Sequence, residues 1–131
     1  MKAIVITKSG APEVLQWQER PVPFPKDNEV LVHIKAAGVN RPDVAQRKGN
    51  YPPPPGASPD IPGLEIAGIV ESCGTAVTQW KQGDKICALI SGGGYTEYAT
   101  VNSAHCLPVT HNLNFAEADV HSRARTKRHE R

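Results

Sequence analysis

The chain has few cysteines and no long apolar run, so it lacks the features of a disulfide-rich secreted miniprotein and of a membrane-spanning helix. Its three cysteines are widely spaced over 131 residues, so they cannot form a disulfide framework. No apolar run is long enough for a membrane helix, and the opening MKAIVITKSG has no signal-peptide core. Lys and Arg total 15 against 13 Asp and Glu, a net charge of +2 that disfavours a polyanion-coating protein. We therefore expect a cytoplasmic protein with no membrane and no nucleic-acid partner.

Glycine and proline are abundant, with 11 and 12 residues, whereas aromatic residues make up only 5% of the chain. Recurring Val, Ile and Leu argue against disorder, so this composition predicts short strands joined by turns. One short helix is predicted from an Asn40 N-cap through about Arg47, with Gly49 ending it. The fold predicted is mostly β and barrel-like, with strands at 2–7, 14–19, 29–36, 66–73, 85–90 and 95–101.

The positive charge is concentrated at one end of the chain. Residues 119–131 contain five basic and two acidic side chains, a net of +3, which leaves −1 for residues 1–118. This tail has a single aliphatic residue larger than alanine, Val120, and no aromatic residues between its basic ones. Such a segment is typical of a solvated, disordered end more than of a nucleic-acid-binding arm. The sequence therefore predicts a domain over 1–118 and a disordered basic tail over 119–131.

Cysteine and histidine side chains do not have the spacing of a metal site. Cys73, Cys87 and Cys106 form no C-x-x-C pair, and the histidines lie on different predicted elements. Cys73 and Cys87 are predicted to be small core residues, and His105-Cys106 to pack at a strand edge. The triple glycine 92–94 is followed by a predicted strand and not by a helix, so it indicates a β-turn and no phosphate loop.

Glu65 is an acid at the start of an apolar strand, and two interpretations are open. The favoured one is a carboxylate at a solvated strand end, because ionised side chains are seldom buried. The other is a site carboxylate held at the mouth of the barrel.

Several motifs in one order point to a known family. The chain resembles the catalytic, GroES-like domain of the medium-chain dehydrogenases/reductases, and within it the zinc-independent NAD(P)H:quinone oxidoreductases of the zeta-crystallin type. The resemblance runs from residue 1 to about residue 118. It rests on Gly63-x-Glu65-x-x-Gly68-x-Val70-x-x-x-Gly74, on Gly83-Asp84-x-Ile86, and on the stretches 37–43, 47–56 and 92–98. It implies a GroES-like, partly open β-barrel with short helices.

The resemblance also bears on zinc. Zinc alcohol dehydrogenases have a Cys where this chain has Asn40 and a His where it has Leu64. Neither residue can hold zinc in the usual tetrahedral site, so the zinc-free branch is favoured.

By resemblance, the family activity is hydride transfer from NADPH to a quinone or an activated alkene such as an enone. The resemblance implies that Asn40 hydrogen-bonds near the nicotinamide ribose, with Asp43 and Glu65 as further cofactor neighbours. It implies that Tyr51 and Leu64 line the quinone site, and it assigns no catalytic residue and no metal. Two simpler interpretations remain open: Asn40 can be only a helix cap, and Tyr51 only an anchor for the proline loop.

Members of the family are well over twice this length, and residues 1–131 contain no Rossmann domain for the cofactor. The domain over 1–118 is thus expected to be incomplete, with its continuation replaced through a frameshift, altered splicing or an interrupted gene. We expect NADPH to be the family's cofactor, but expect little binding or turnover by this chain alone. The alternative is a non-catalytic GroES-like binding or regulatory module that pairs with a full-length relative in a homo- or hetero-oligomer.

Overall fold

The computed structural model describes residues 1–50, 52–55 and 58–109. The chain opens with a hairpin of β1 (Lys2–Ile6) and β2 (Leu15–Glu19), antiparallel with Ile4 opposite Trp17. A short 3-10 helix, Pro12–Val14, joins them. Among the described residues, no helix is both long and apolar enough to cross a membrane.

A second sheet has five antiparallel strands in the order β6-β3-β4-β5-β7. Its edge strands β6 and β7 are joined by one 3-10 turn, Ser103–His105, although they lie at opposite ends of the order. The sheet must therefore curl until its edges approach, as in a barrel that does not close. The strands are β3 (Glu29–Ala37), β4 (Glu65–Cys73), β5 (Lys85–Leu89), β6 (Tyr98–Asn102) and β7 (Cys106–Pro108), and helix α1 (Arg41–Lys48) lies between β3 and β4 in sequence.

The core forms on both faces of β4, as its unbroken apolar run predicts. Ile66 and Val70 are fully buried in the main cluster inside the curl, while Ala67 packs with Cys87 on the other face. The prediction of a mostly β, partly open, GroES-like barrel with short helices is confirmed. Members of the main cluster are Val30, Val32, Ile66, Val70, Ile86, Ala88, Ala99, Val101 and Cys106.

Two predicted strands start later than the sequence pattern suggested. Val14 belongs to the 3-10 helix and is buried, so the second strand begins at Leu15. The last long strand begins at Tyr98, not at Tyr95. The Tyr95 amide donates to the Pro62 carbonyl (3.0 Å) and not to β3. Residues 95–97 instead pair mainly with β1, through the isolated bridge from Thr96 to Ala3 and the hydrogen bond from the Ile4 amide to the Tyr95 carbonyl (2.8 Å).

The thiols behave as core groups. Cys87 and Cys106 are buried, Cys73 is half-buried against the main cluster, and none of these three described residues is in a disulfide. The prediction for Cys73 and Cys87 is confirmed, and Cys106 packs at an edge strand as expected. The boundary at residue 118 and the tail 119–131 lie outside the described residues and stay predictions.

Cys106 is expected to resist thiol reagents in the folded protein. Burial above all, with the charges of Cys87 and Cys73, raises the pKa of Cys106 to about 12. Its thiolate fraction at pH 8 is then about a thousandfold below that of an exposed cysteine. Disulfide-exchange labelling followed by peptide mass spectrometry measures this. Cys73 is the internal comparison and should react first; labelling of Cys106 at its urea-unfolded rate would contradict the prediction.

Candidate functional site

The site is built around the start of α1. Asn40 is in extended backbone at the N-cap, Pro42 lies in the first turn, and Gly49 ends the helix in the left-handed conformation. The helix and its cap were predicted, and both are confirmed. Because the N-terminal amides of a helix lack partners within it, an acceptor from the first turn stabilises this end. Asp43 provides it, since its Oδ2 accepts a hydrogen bond from the Asn40 backbone N–H at 3.0 Å.

The same carboxylate oxygen has a second donor from a distant loop. The Tyr95 hydroxyl donates to Asp43 Oδ2 at 2.6 Å, across 52 positions of sequence. Asp43 is only 4% exposed and forms no salt bridge within the described part of the chain. A buried carboxylate is stabilised by hydrogen bonds to its charged form. Tyr95 and the helix cap thus hold Asp43 in one orientation.

The surroundings of Tyr95 keep its phenol protonated. Burial first, then the hydrogen bond to Asp43 and the charges of Asp43 and Glu65, raise the pKa of Tyr95 above its usual range. A hydroxyl that donates to a carboxylate cannot lose its proton without placing two negative charges together. Tyr95 therefore stays a hydrogen-bond donor through neutral and mildly alkaline pH.

The favoured interpretation of Glu65, a carboxylate at a solvated strand end, is wrong. The side chain is 3% exposed, so it is not a solvated strand end. The Glu65 carbonyl accepts from the Gly38 amide at 3.1 Å, which ties the start of β4 to the loop before Asn40. Its charge contributes to the raised pKa of Tyr95, so the Glu65 carboxylate lies within electrostatic reach of the same cluster.

Several buried polar atoms at α1 have no hydrogen-bond partner within the described residues. They are Asn40 Nδ2, Asp43 Oδ1 and Gln46 Nε2, on residues spaced three apart and hence on one face of the helix. Gln46 is 8% exposed. Two donors and one acceptor on a buried face can hold a ligand that offers both kinds of group, such as an amide or a sugar hydroxyl.

Leu64 and Tyr51 are the predicted substrate residues. Leu64 directly precedes β4 and is half-buried, and its carbonyl accepts from the Ile90 amide at 2.8 Å. It is therefore adjacent in sequence to Glu65, at the same end of β4. Tyr51 lies outside the described residues.

Sequence reasoning missed Tyr95 and Gln46. The pattern Asn40-x-x-Asp43 could have marked Asp43 as the cap acceptor, and a half-buried tyrosine generally finds a partner for its hydroxyl. Nothing local pairs Tyr95 with Asp43, because the contact depends on how the 92–95 loop packs against residue 63.

A cavity of about 480 Å³ opens elsewhere on the molecule. It is lined in part by Arg20, Tyr98 and His105, and Asn40, Asp43, Leu64 and Glu65 do not line it. Over residues 1–50, 52–55 and 58–109, no group of three or more His, Cys, Asp or Glu side chains could hold a metal ion. The polar cluster at α1 is accordingly the candidate site, here defined as Asn40, Asp43, Gln46, Glu65 and Tyr95.

The curled antiparallel sheet, with one short helix between β3 and β4, is the architecture of a GroES-like domain. Residues 26–111 match the alcohol dehydrogenase GroES-like domain family, and the chain belongs to that family.

Within this family, the chain is similar to quinone oxidoreductases and to a VAT-1 homolog-like protein. The chain is 39% identical over 119 residues to a quinone oxidoreductase of Sus scrofa, covering 89% of this chain and 36% of that protein. The structure of Escherichia coli quinone oxidoreductase complexed with NADPH matches 91% of this chain and 36% of its own, at 32% identity and a TM-score of 0.82. The human synaptic vesicle membrane protein VAT-1 homolog-like protein matches 91% of this chain and 38% of its own, at 30% identity and a TM-score of 0.84. The chain thus spans little more than a third of the length of these relatives.

Proposed function

We propose that this chain is the GroES-like part of an NADPH-dependent quinone oxidoreductase. The observation that carries the proposal is the buried amide of Asn40, whose Nδ2 has no partner among the described residues and lies at a rigid helix cap. The similarity to quinone oxidoreductases, including one complexed with NADPH, supports the same ligand class.

In this proposal the bound cofactor supplies the hydride for a quinone or an activated alkene. The chain's own residues bind and orient: Asn40 donates to the nicotinamide ribose, and Asp43 and Glu65 form the polar wall beside it. Leu64 and Tyr51 line the quinone site with apolar surface. Asn40 and Leu64 replace the ligand types of zinc enzymes, so the site is proposed to work without zinc.

A transplant tests this function. Residues 1–109 of this chain, placed in the Escherichia coli relative instead of the corresponding segment, are expected to give quinone-dependent oxidation of NADPH, followed at 340 nm. The isolated 131-residue chain should show neither turnover nor micromolar affinity for NADPH. In the transplant, Asn40→Ala should lower kcat/KM at least about tenfold, since one hydrogen bond to the cofactor is lost. A folded transplant that binds NADPH and transfers no hydride would overturn the proposal.

A second candidate is a non-catalytic module that pairs with a full-length relative. Val39 and Val44 flank the start of α1 and are exposed by 73% and 36%, which leaves apolar surface next to Asn40. Co-elution of this chain with a full-length relative, without any change in the relative's turnover, would favour this candidate. Separate elution of the two proteins at micromolar concentrations would exclude the pairing module.

A further inference from the structure

Tyr95 has several backbone and packing contacts besides its hydrogen bond to α1. Its amide donates to the Pro62 carbonyl at 3.0 Å, and its carbonyl accepts from the Ile4 amide at 2.8 Å. Its ring lies over Gly63 so closely that a Cβ there would be 2.7 Å from Cδ1. The ring also packs on the small core cluster under β1. The position of the Tyr95 hydroxyl is therefore set by β1 and by the 61–63 segment, independently of the helix.

Asp43 connects that hydroxyl to the helix cap. Its Oδ2 accepts from the Tyr95 hydroxyl at 2.6 Å and from the Asn40 backbone N–H at 3.0 Å. Hydrogen bonds to a buried carboxylate are among the stronger and more directional ones in proteins. The backbone of Asn40, with φ −131° and ψ 161°, is thus linked to the β1 side of the molecule through one carboxylate.

We propose that Tyr95 is a positioning residue: acting through Asp43, it fixes the α1 cap so that the side-chain amide of Asn40 faces a bound nicotinamide nucleotide. The ligand class rests on the proposed function, whereas the positioning is a property of the ligand-free chain. Asn40 Nδ2 is buried with no partner in the described structure, so it is a preorganised donor for a hydroxyl or carbonyl oxygen. A loosened cap would let this amide turn away and lose affinity without any change in the ligand's own contacts.

The experiment compares Tyr95→Phe with Tyr98→Phe in the full 131-residue chain. Both remove one tyrosine hydroxyl, but Tyr98 stacks on His33 and is not bonded to Asp43. We expect Tyr95→Phe to speed hydrogen exchange of the Asn40 backbone amide by roughly tenfold to a hundredfold, measured by NMR, because a hydrogen bond to a charged group is lost. Tyr98→Phe should leave that rate unchanged. Equal protection of Asn40 in wild type and Tyr95→Phe would overturn the proposal.

A ligand-binding experiment distinguishes the positioning role of Tyr95 from the proposed function of the chain. At millimolar concentration, reduced nicotinamide mononucleotide is expected to shift the Asn40 side-chain amide signals in wild type and to shift them at least about fivefold less in Tyr95→Phe. Absence of the shift in wild type would count against the proposed function, while the exchange result would still decide the positioning. A shift of the same size in both proteins would overturn the positioning.

Variants of Asp43 cover the case in which Tyr95→Phe fails to fold. Asp43→Asn keeps an acceptor oxygen and is expected to retain the protection of Asn40, whereas Asp43→Ala should lose it to the extent expected for Tyr95→Phe. Unfolding of both Tyr95→Phe and Asp43→Ala would overturn the assignment, because the pair would then hold the whole fold and not one cap.

Discussion

Substituting alanine for Gly68 is expected to lower the free energy of unfolding by about 3 kcal/mol, near the upper end for an overpacked site. Gly68 lies in the middle of β4, opposite Ile34 on β3 and Ile86 on β5. A Cβ there would overlap the His33 carbonyl oxygen and lie 3.0 Å from the Ile34 Cα. Both obstacles are backbone atoms, which cannot rotate away, so the β3–β4 pairing at the centre of the sheet must shift.

The effect can be measured as a melting temperature lower by roughly 12 to 24 °C. Gly83→Ala is the matched control: the site has nothing within 4 Å of an added Cβ, but its φ of +93° is strained for alanine. Its expected loss is about 1 kcal/mol. If Gly68→Ala loses no more stability than Gly83→Ala, the close approach of β3 and β4 at this position is absent.

Gly63→Ala is the second large effect, and it should act on the candidate site as well as on stability. Gly63 has a φ of +112°, and an added Cβ would lie 2.7 Å from Tyr95 Cδ1 and 2.8 Å from the Gly94 Cα. Backbone strain and overlap together are expected to lower the free energy of unfolding by about 3 kcal/mol. The ring of Tyr95 must move, so its hydroxyl no longer reaches Asp43.

The pH dependence of stability reports that movement. The folded-state pKa of Tyr95 is raised, so its contribution is fully present below the unfolded tyrosine pKa of about 10 and is lost as pH rises through the folded value. Wild type should therefore lose stability steeply above pH 10, and Gly63→Ala less steeply. Gly93→Ala is the control, with a φ of +83° and its nearest neighbour, Ser58 Cβ, at 3.6 Å. It should keep the wild-type slope, and identical slopes in all three proteins would refute the contact.

Local sequence patterns were enough to predict the helix and most of the strands. Asn40, Pro42 and Gly49 are start and stop signals that act within one turn, and the apolar run of β4 carries its burial on both faces in its own residues. Glu65 was misjudged because its burial depends on neighbours from other segments. The Gly38 amide and the Tyr95 loop both approach it, and no local pattern contains them.

The sequence by itself determined a β-rich domain and the helix cap at Asn40, because these follow from short-range propensities that need no knowledge of distant contacts. The GroES-like class, and the comparison of Asn40 and Leu64 with the ligands of zinc enzymes, rest on the resemblance of several motifs to a known family. Only the tertiary structure decided that Tyr95 and Asp43 share a hydrogen bond and that Glu65 is buried beside them. The Tyr95–Asp43 hydrogen bond joins residues 52 positions apart, and it exists because Gly63 lets the 92–95 loop pack close enough for the phenol to reach the helix.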